Sequence, residues 1–351
     1  MESMEIKNIL VTGSAGYIGS VLTQKLVDQD YFVTGVDTLL YNSSIIFKQD
    51  SYPFRLMDIR NLKIEDLYGF DAVIHLAALS NDHLGSLKKE WTEEINYRES
   101  VRLAKICKKA GVKRFIFSSS CSVYGIAKNH MVNEKSQTHP LTIYAATKIK
   151  SEMALKKLAD NNFCVIIMRN STVYGFSPAF RDDLVVNNLV ASGLSLGKIE
   201  IKSDGTPWRP LIDVRDLGQI FINFLQIDSY KVNGKIINIG FNNNNFQVKD
   251  LAHFIQKQLP DCKIIFTKKH GADSRSYKVS FNMLNKLMPN LKQEWNMEKS
   301  IVDIIKNLKE YNYSKNDFLT GKYTRQEALK KLLKKNKLTD KLFWKKTKPT
   351  P

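Results

Sequence analysis

The chain has 351 residues, 43% of them hydrophobic, enough to bury a large core as one or two domains. Its net charge is +18, but much of the excess lies in ten Lys/Arg between Arg325 and Pro351, opposed only by Glu327 and Asp340; with no recognition motif and no aromatics interleaved for stacking, this argues against nucleic acid as a partner. No apolar run reaches 18 residues, the opening residues do not read as a secretory leader, and Cys107, Cys121, Cys164 and Cys262 show neither metal nor disulfide spacing, so the expectation is a cytoplasmic protein without a membrane span or metal.

In chain order, the apolar strand Ile9-Leu10-Val11 leads into Gly13-Ser14-Ala15-Gly16-Tyr17-Ile18-Gly19 and a helix from Ser20 to Gln29. Gly13 permits a tight turn, Gly16 lets backbone approach a pyrophosphate, and Gly19 lets the helix lie close on the strand. The helix N-terminus then offers N–H groups and a positive dipole end to phosphate oxygens. A second strand, Phe32 to Val36, ends in Asp37, 18 residues beyond Gly19. An acid there binds both ribose hydroxyls and repels a 2′-phosphate, which predicts a dinucleotide site that prefers NAD to NADP.

Next come a buried strand over Asp71 to Leu76 and an amphipathic helix from Asn96 to Ala110 closed by Gly111. A strand over Arg114 to Ser118, a helix over Tyr144 to Asp160 with lysines outward, and a strand over Cys164 to Met168 follow. This βαβα order predicts a parallel, doubly wound sheet with ligands at the carboxyl ends of its strands. The second half is less regular. It reads as a helix over Asp183 to Ser192, a turn at Asp204 to Pro207, a strand over Pro210 to Val214, a helix to about Gln226, and a loop at Asn242 to Asn245. The basic tail reads as a solvated helix face, with an anionic-surface binder or a packing element as alternatives.

Three segments carry candidate chemistry. Tyr144 and Lys148 are four apart, so a helix puts phenol and ammonium on one face. The cation favours phenolate, which suits Tyr144 as a base taking a hydroxyl proton while hydride leaves the same carbon. Ser118-Ser119-Ser120-Cys121-Ser122 and Arg169-Asn170-Ser171 each follow a buried strand and bring hydroxyls and amides to the same end. Taken singly, each segment reads as ordinary helix-surface or turn residues; their order behind the glycine turn and Asp37 is what gives them weight.

On these residues, with Asp58-Ile59-Arg60, His75-Leu76-Ala77-Ala78 and Asn96, residues 6 to 310 resemble the extended short-chain dehydrogenase/reductase family in its NAD-dependent nucleotide-sugar epimerase/dehydratase branch. The resemblance implies an α/β fold, a Rossmann-type doubly wound sheet with a smaller α/β substrate-binding domain. It divides the chain into residues 1–173 with a returning segment 211–240 for NAD, 174–210 and 241–311 for substrate, and a basic extension 312–351. It implies that Gly13, Gly16, Tyr17, Ile18, Gly19, Asp37, Asp58, Ile59, Ala77, Ala78, Asn96 and Lys148 serve the cofactor. Ser120, Tyr144 and Lys148 would be catalytic, and Ser122, Asn170, Asn188, Arg209 and Arg275 would meet the substrate, the two arginines at its diphosphate.

Departures from the family narrow the chemistry. Its 4,6-dehydratases carry an Asp-Glu pair where this chain has Cys121 and Ser122, so that elimination is disfavoured here. Cys121 reads as a small buried residue rather than a substitute acid/base, and His83 as a candidate extra acid/base whose default is structural. Asp213, where the family often has histidine, is expected to give local support. The expected function is epimerisation of a nucleotide-diphosphate sugar through a keto intermediate, most simply at C4. A 4-ketoreductase or 4-dehydrogenase on such a sugar is the first alternative. A non-catalytic dinucleotide sensor is the second, opposed by the retained Tyr144 and Lys148. The resemblance also implies a homodimer formed through the helices at Asn96 to Ala110 and Tyr144 to Asp160.

Overall fold

The computed structural model describes residues 6–48, 51–80, 87–267 and 275–345. Seven parallel strands form the main sheet: β1 (Asn8–Thr12), β2 (Phe32–Asp37), β3 (Phe54–Leu56), β4 (Ala72–His75), β5 (Arg114–Ser120), β7 (Cys164–Asn170) and β11 (Lys235–Ile239). Their spatial order is β11-β7-β5-β4-β1-β2-β3, which reverses direction on either side of β1, so the sheet is doubly wound. Strands covered on both faces read as unbroken apolar runs, and Cys164–Asn170 is buried at every residue.

Alternation along β1 sends neighbouring side chains to opposite faces. Ile9 and Val11 join Leu22 and Leu26 of the helix Tyr17–Val27 and Leu217 and Phe221 of the helix Val214–Gln226. Leu10 faces the other way, toward Leu103 and Cys107 of the helix Glu99–Lys109 and Leu155 of the helix Ile143–Lys156. A separate apolar cluster gathers Phe180, Val190, Ile199, Ile255, Ile301 and Ile304 from the second half of the chain. There the strands are short: β8 (Thr172–Tyr174), β10 (Trp208–Asp213) and β12 (Asn245–Gln247) make one sheet. β9 (Lys198–Ile201) pairs with β13 (Lys263–Phe266), and β6 (Ile126–Val132) with β14 (Ser276–Val279).

The structure moves several predicted boundaries. The first helix starts at Tyr17 rather than Ser20, because Gly19 is one of its residues. The helix expected from Asn96 is preceded by Lys89–Glu93 and a π-helical stretch, Glu94–Arg98, that contains Asn96. The helix expected to reach Asp160 ends at Lys156, and Asp160 instead accepts from the backbone N–H of Asn162 and Phe163 in a turn. The helix expected from Asp183 starts at Val185, since Asp183 grips Arg181 with both oxygens.

The basic tail packs. Its helix Arg325–Lys334 contributes Leu329, and the following turn contributes Leu338 and Leu342, to the cluster on one face of the main sheet. Lys330, Lys331, Lys334 and Lys335 point to solvent. Trp344 Nε1 donates to Thr38 O at 2.6 Å, and Trp91 Nε1 to Asp340 O at 2.6 Å, fastening the tail to the segments around Thr38 and Trp91. All four cysteines are buried and unpaired. Among the described residues no helix is long and apolar enough to cross a membrane, and no cluster of His, Cys, Asp or Glu could hold a metal.

Candidate active site

One cavity of about 840 Å³ runs along the carboxyl ends of the strands, within the range of small-molecule sites. At one end lies the turn after β1. Gly13 has φ +74°, and a Cβ there would stand 2.7 Å from the backbone N of Ala77. A Cβ on Gly19 would stand 2.1 Å from Gly13 O, so this helix can start against the strand only with glycine. The helix Tyr17–Val27 has no side-chain cap and no acid in its first turn, which leaves its first N–H groups for an anion in the cavity.

Asp37 lines the same end, accepting from the N–H of Leu39 at 2.8 Å and Ala15 at 3.2 Å. Burial raises its pKa, and those two N–H groups oppose the rise. The bare glycine backbone, the uncapped helix start and the acid at the end of β2 fit a dinucleotide with unphosphorylated ribose hydroxyls. Asp58 and Ile59 also line the wall, as do Ala77 and Ala78. Asp58 is held by Arg60 Nε at 2.9 Å and Nη2 at 2.6 Å.

At the centre of the cavity β5 and β7 end side by side, with Ser120 opposite Asn170. The helix Ile143–Lys156 begins there, capped by Thr142 Oγ1 accepting from Ala145 N at 3.2 Å, which points Tyr144 and Lys148 at the strand ends. Lys148 is 4% exposed. Its Nζ donates to Ser118 O at 2.6 Å and lies 4.6 Å from the Phe117 ring centroid and 5.7 Å from that of Tyr144. Burial pulls its pKa down to about 7, with Glu152 pulling the other way. Glu152 is itself neutralised by Arg169, at 2.7 Å from Nη2 and 3.0 Å from Nε, and receives Ser119 Oγ at 2.5 Å. Asn170 Nδ2 donates to Ser118 Oγ at 2.9 Å. Asn170 Oδ1 and Ser122 Oγ are buried with no partner, so two polar atoms await a ligand at the cavity's centre.

The far end is lined by Asn188, Arg209 and Arg275. Asn188 Nδ2 donates to Asp182 O at 2.7 Å, and Arg209 Nη1 to Trp208 O at 2.9 Å and to Arg275 O. The predicted catalytic, cofactor and substrate residues thus share one cavity, with the exception of Asn96. Its amide is engaged on both sides by Leu79, accepting from N at 2.8 Å and donating to O at 3.1 Å. Asn96 is thus buried behind Leu79 and, contrary to the expectation for it, does not line the cavity.

Cys121 is buried outside the lining, its Sγ on Arg169 O at 3.1 Å, and burial pushes its pKa up, which leaves it a packing residue. Asp213 accepts from Arg215 and from Ser300 Oγ at 2.6 Å, a supporting role beside Gly175. His83 lies outside the described residues. The prediction from sequence missed Tyr41, Arg181, Thr324 and Arg325, all of which line the cavity. The run Arg181-Asp182-Asp183 was a usable signal, being three charges amid apolar residues; Arg325 had none, because it opens a lysine-rich stretch.

Residues 9–240 match the NAD dependent epimerase/dehydratase family. The chain is 26% identical over 325 residues to UDP-glucuronate 4-epimerase of Thermodesulfobacterium geofontis, covering 86% of this chain and 98% of that one. It is 30% identical over 249 residues to UDP-glucose 4-epimerase of Caenorhabditis elegans, covering 60% and 71%. Among solved structures, UDP-glucuronic acid 4-epimerase of Bacillus cereus, in complex with UDP-glucuronic acid and NAD, superposes with a TM-score of 0.74 at 25% identity, covering 86% and 99%.

Proposed function

Because the chain belongs to the NAD dependent epimerase/dehydratase family, we propose that it is a C4 epimerase of a nucleotide-diphosphate sugar, with UDP-sugars the first candidates. The observation that carries this reading is the meeting of Tyr144, Lys148 and Ser120 at the centre of a cavity with a glycine cradle at one end and Arg209 and Arg275 at the other. The relatives named 4-epimerases support the choice of carbon and of uridine. The site also has no carboxylate pair after Ser120, which a 4,6-dehydratase would use.

The residues divide the work as follows. Tyr144 takes the proton from the C4 hydroxyl and returns it to the same oxygen once the sugar has turned over in the cleft. Lys148, within 5.7 Å of the phenol ring, favours the phenolate that makes Tyr144 a base. Ser120 Oγ hydrogen-bonds the reacting oxygen. Asn170 and Ser122 orient the sugar, and Asn188, Arg209 and Arg275 hold the diphosphate, where a guanidinium fork matches phosphate oxygens. Gly13, Gly16, Tyr17, Ile18, Gly19, Asp37, Asp58, Ile59, Ala77 and Ala78 would hold NAD. When bound, NAD supplies the acceptor, and then the donor, of the C4 hydrogen with its electron pair.

Residues 174–210 and 241–311 form the sugar-nucleotide half in this reading. We assign the chain to the cytoplasm, supported by its four unpaired thiols, and to a homodimer through the helices Glu99–Lys109 and Ile143–Lys156. Mass spectrometry of nucleotides released on denaturing the purified protein, with NMR of UDP-glucose and UDP-glucuronate incubated with it, tests the function. Stoichiometric NAD and appearance of the C4 epimer are expected. An empty or NADP-bearing site, with net consumption of a reduced nicotinamide, would move the protein to the ketoreductases.

A further inference from the structure

We propose that Arg325, from the C-terminal extension, is a cofactor-binding residue that closes the ADP end of the dinucleotide site and donates through Nη1 to the anionic oxygens bound there. This rests on reading the cavity as a dinucleotide site. Arg325 opens the helix Arg325–Lys334, far outside the family match at 9–240. It lines the cavity beside Tyr41 and Asp37, yet it is only 2% exposed.

Asp183 and Asp37 act on its charge only from a distance, and its hydrogen bonding is incomplete. Nη2 donates to Ala179 O at 3.0 Å, and the guanidinium lies 4.6 Å from the Tyr41 ring centroid. Nη1 is buried with no hydrogen-bond partner, and so is the Tyr41 hydroxyl. The neighbouring buried Arg181 is treated differently: both oxygens of Asp183 hold it. Arg325 makes no such ion pair with a described carboxylate. A buried guanidinium with an unused donor is costly unless an anion completes it.

The position is also braced in advance. Thr324, immediately before it, donates through Oγ1 to Asp182 Oδ1 at 2.8 Å, and Tyr313 donates to the other oxygen at 2.9 Å. A segment held this way keeps the guanidinium aimed at the cavity before any ligand arrives, which lowers the ordering cost of binding. Asp37 lines the same end with an acceptor suited to ribose hydroxyls, so acceptor and donors together match a ribose flanked by phosphate.

The test is calorimetric titration of the full-length, nucleotide-stripped protein with ADP and, separately, with UDP. In R325Q, ADP affinity is expected to fall at least tenfold while UDP affinity stays within twofold, and R325K is expected to recover part of the loss. Y41F, which removes only a hydroxyl, gives a second reading if R325Q melts early; a several-fold loss for ADP alone is expected. Unchanged ADP affinity in folded R325Q and Y41F, or equal losses for ADP and UDP, would overturn the assignment of Arg325 alone. Failure of the unaltered protein to bind ADP would overturn the dinucleotide reading along with it.

Discussion

Tyr144 and Lys148 illustrate how far a single residue's surroundings reach. If Tyr144 moves the proton, Tyr144→Phe should cut turnover by about 10²- to 10⁴-fold, the usual worth of a positioned acid/base, while leaving bound NAD in place. Turnover and released nucleotide, measured on the same preparation, check both halves; near-normal turnover sinks the assignment. Lys148 ionises near 7 in the folded chain and near 10.5 unfolded. Between those values the unfolded state binds the extra proton, so stability rises with pH, and below about 7 the burial penalty is felt in full. Denaturant unfolding of the cofactor-free protein should therefore show Lys148→Met losing ground to the unaltered chain from pH 7 to pH 10. A pH-independent difference would contradict a desolvated lysine. Asp37→Ala is expected to weaken NAD and narrow its advantage over NADP in a binding titration; an unchanged preference removes Asp37 from the ribose.

Among the elements, the strand-turn-helix at residues 8–27 sets the geometry of the cofactor end. Gly19→Ala would press a methyl to within 2.1 Å of Gly13 O. Overpacking of this kind costs about 1–3 kcal/mol, and the helix start must shift away from the cavity. A lower melting temperature together with loss of co-purified NAD is expected, and a variant that melts normally with NAD bound would show that the close approach is dispensable. Much of this element was legible in sequence, since a tight turn, a pyrophosphate and a helix packed on the strand call for glycine at 13, 16 and 19 in turn, and a ribose calls for an acceptor at the end of the next strand. The π-helical stretch at Glu94–Arg98 was not, because its residues are ordinary helix formers and the extra residue per turn comes from packing. The three- and four-residue strands of the second half were likewise hidden. They are too short for alternation to show, and their pairing partners lie far away in sequence.

For the whole molecule, the site was more legible than its enclosure. The polar residues that gather at the cavity's centre follow apolar strands and so announce themselves. The extension did not: twelve basic residues dominate its composition, although Ala328, Leu329, Leu332 and Leu333 repeat at helical spacing and mark a packing face. The helix Ile143–Lys156 buries one face and leaves Met153 63% exposed on another. Light scattering on the eluting protein should give the mass of two chains, and Met153→Glu should shift it toward one. A monomer at micromolar concentration in the unaltered protein would reject the dimer.

The bond from Trp344 to Thr38 joins positions 306 residues apart. A growing polypeptide emerges from the ribosome in order, so the β1–β2 region is made long before the residues that seal it. Until Trp344 is released, the edge of the nucleotide crevice near Thr38 stays open, and the nascent chain is exposed there while the residues between Thr38 and Trp344 are made. Appending a bulky fusion partner close behind residue 345 is therefore a more hazardous choice than fusing it ahead of residue 6. Closure of the nucleotide crevice at this edge therefore waits for Trp344.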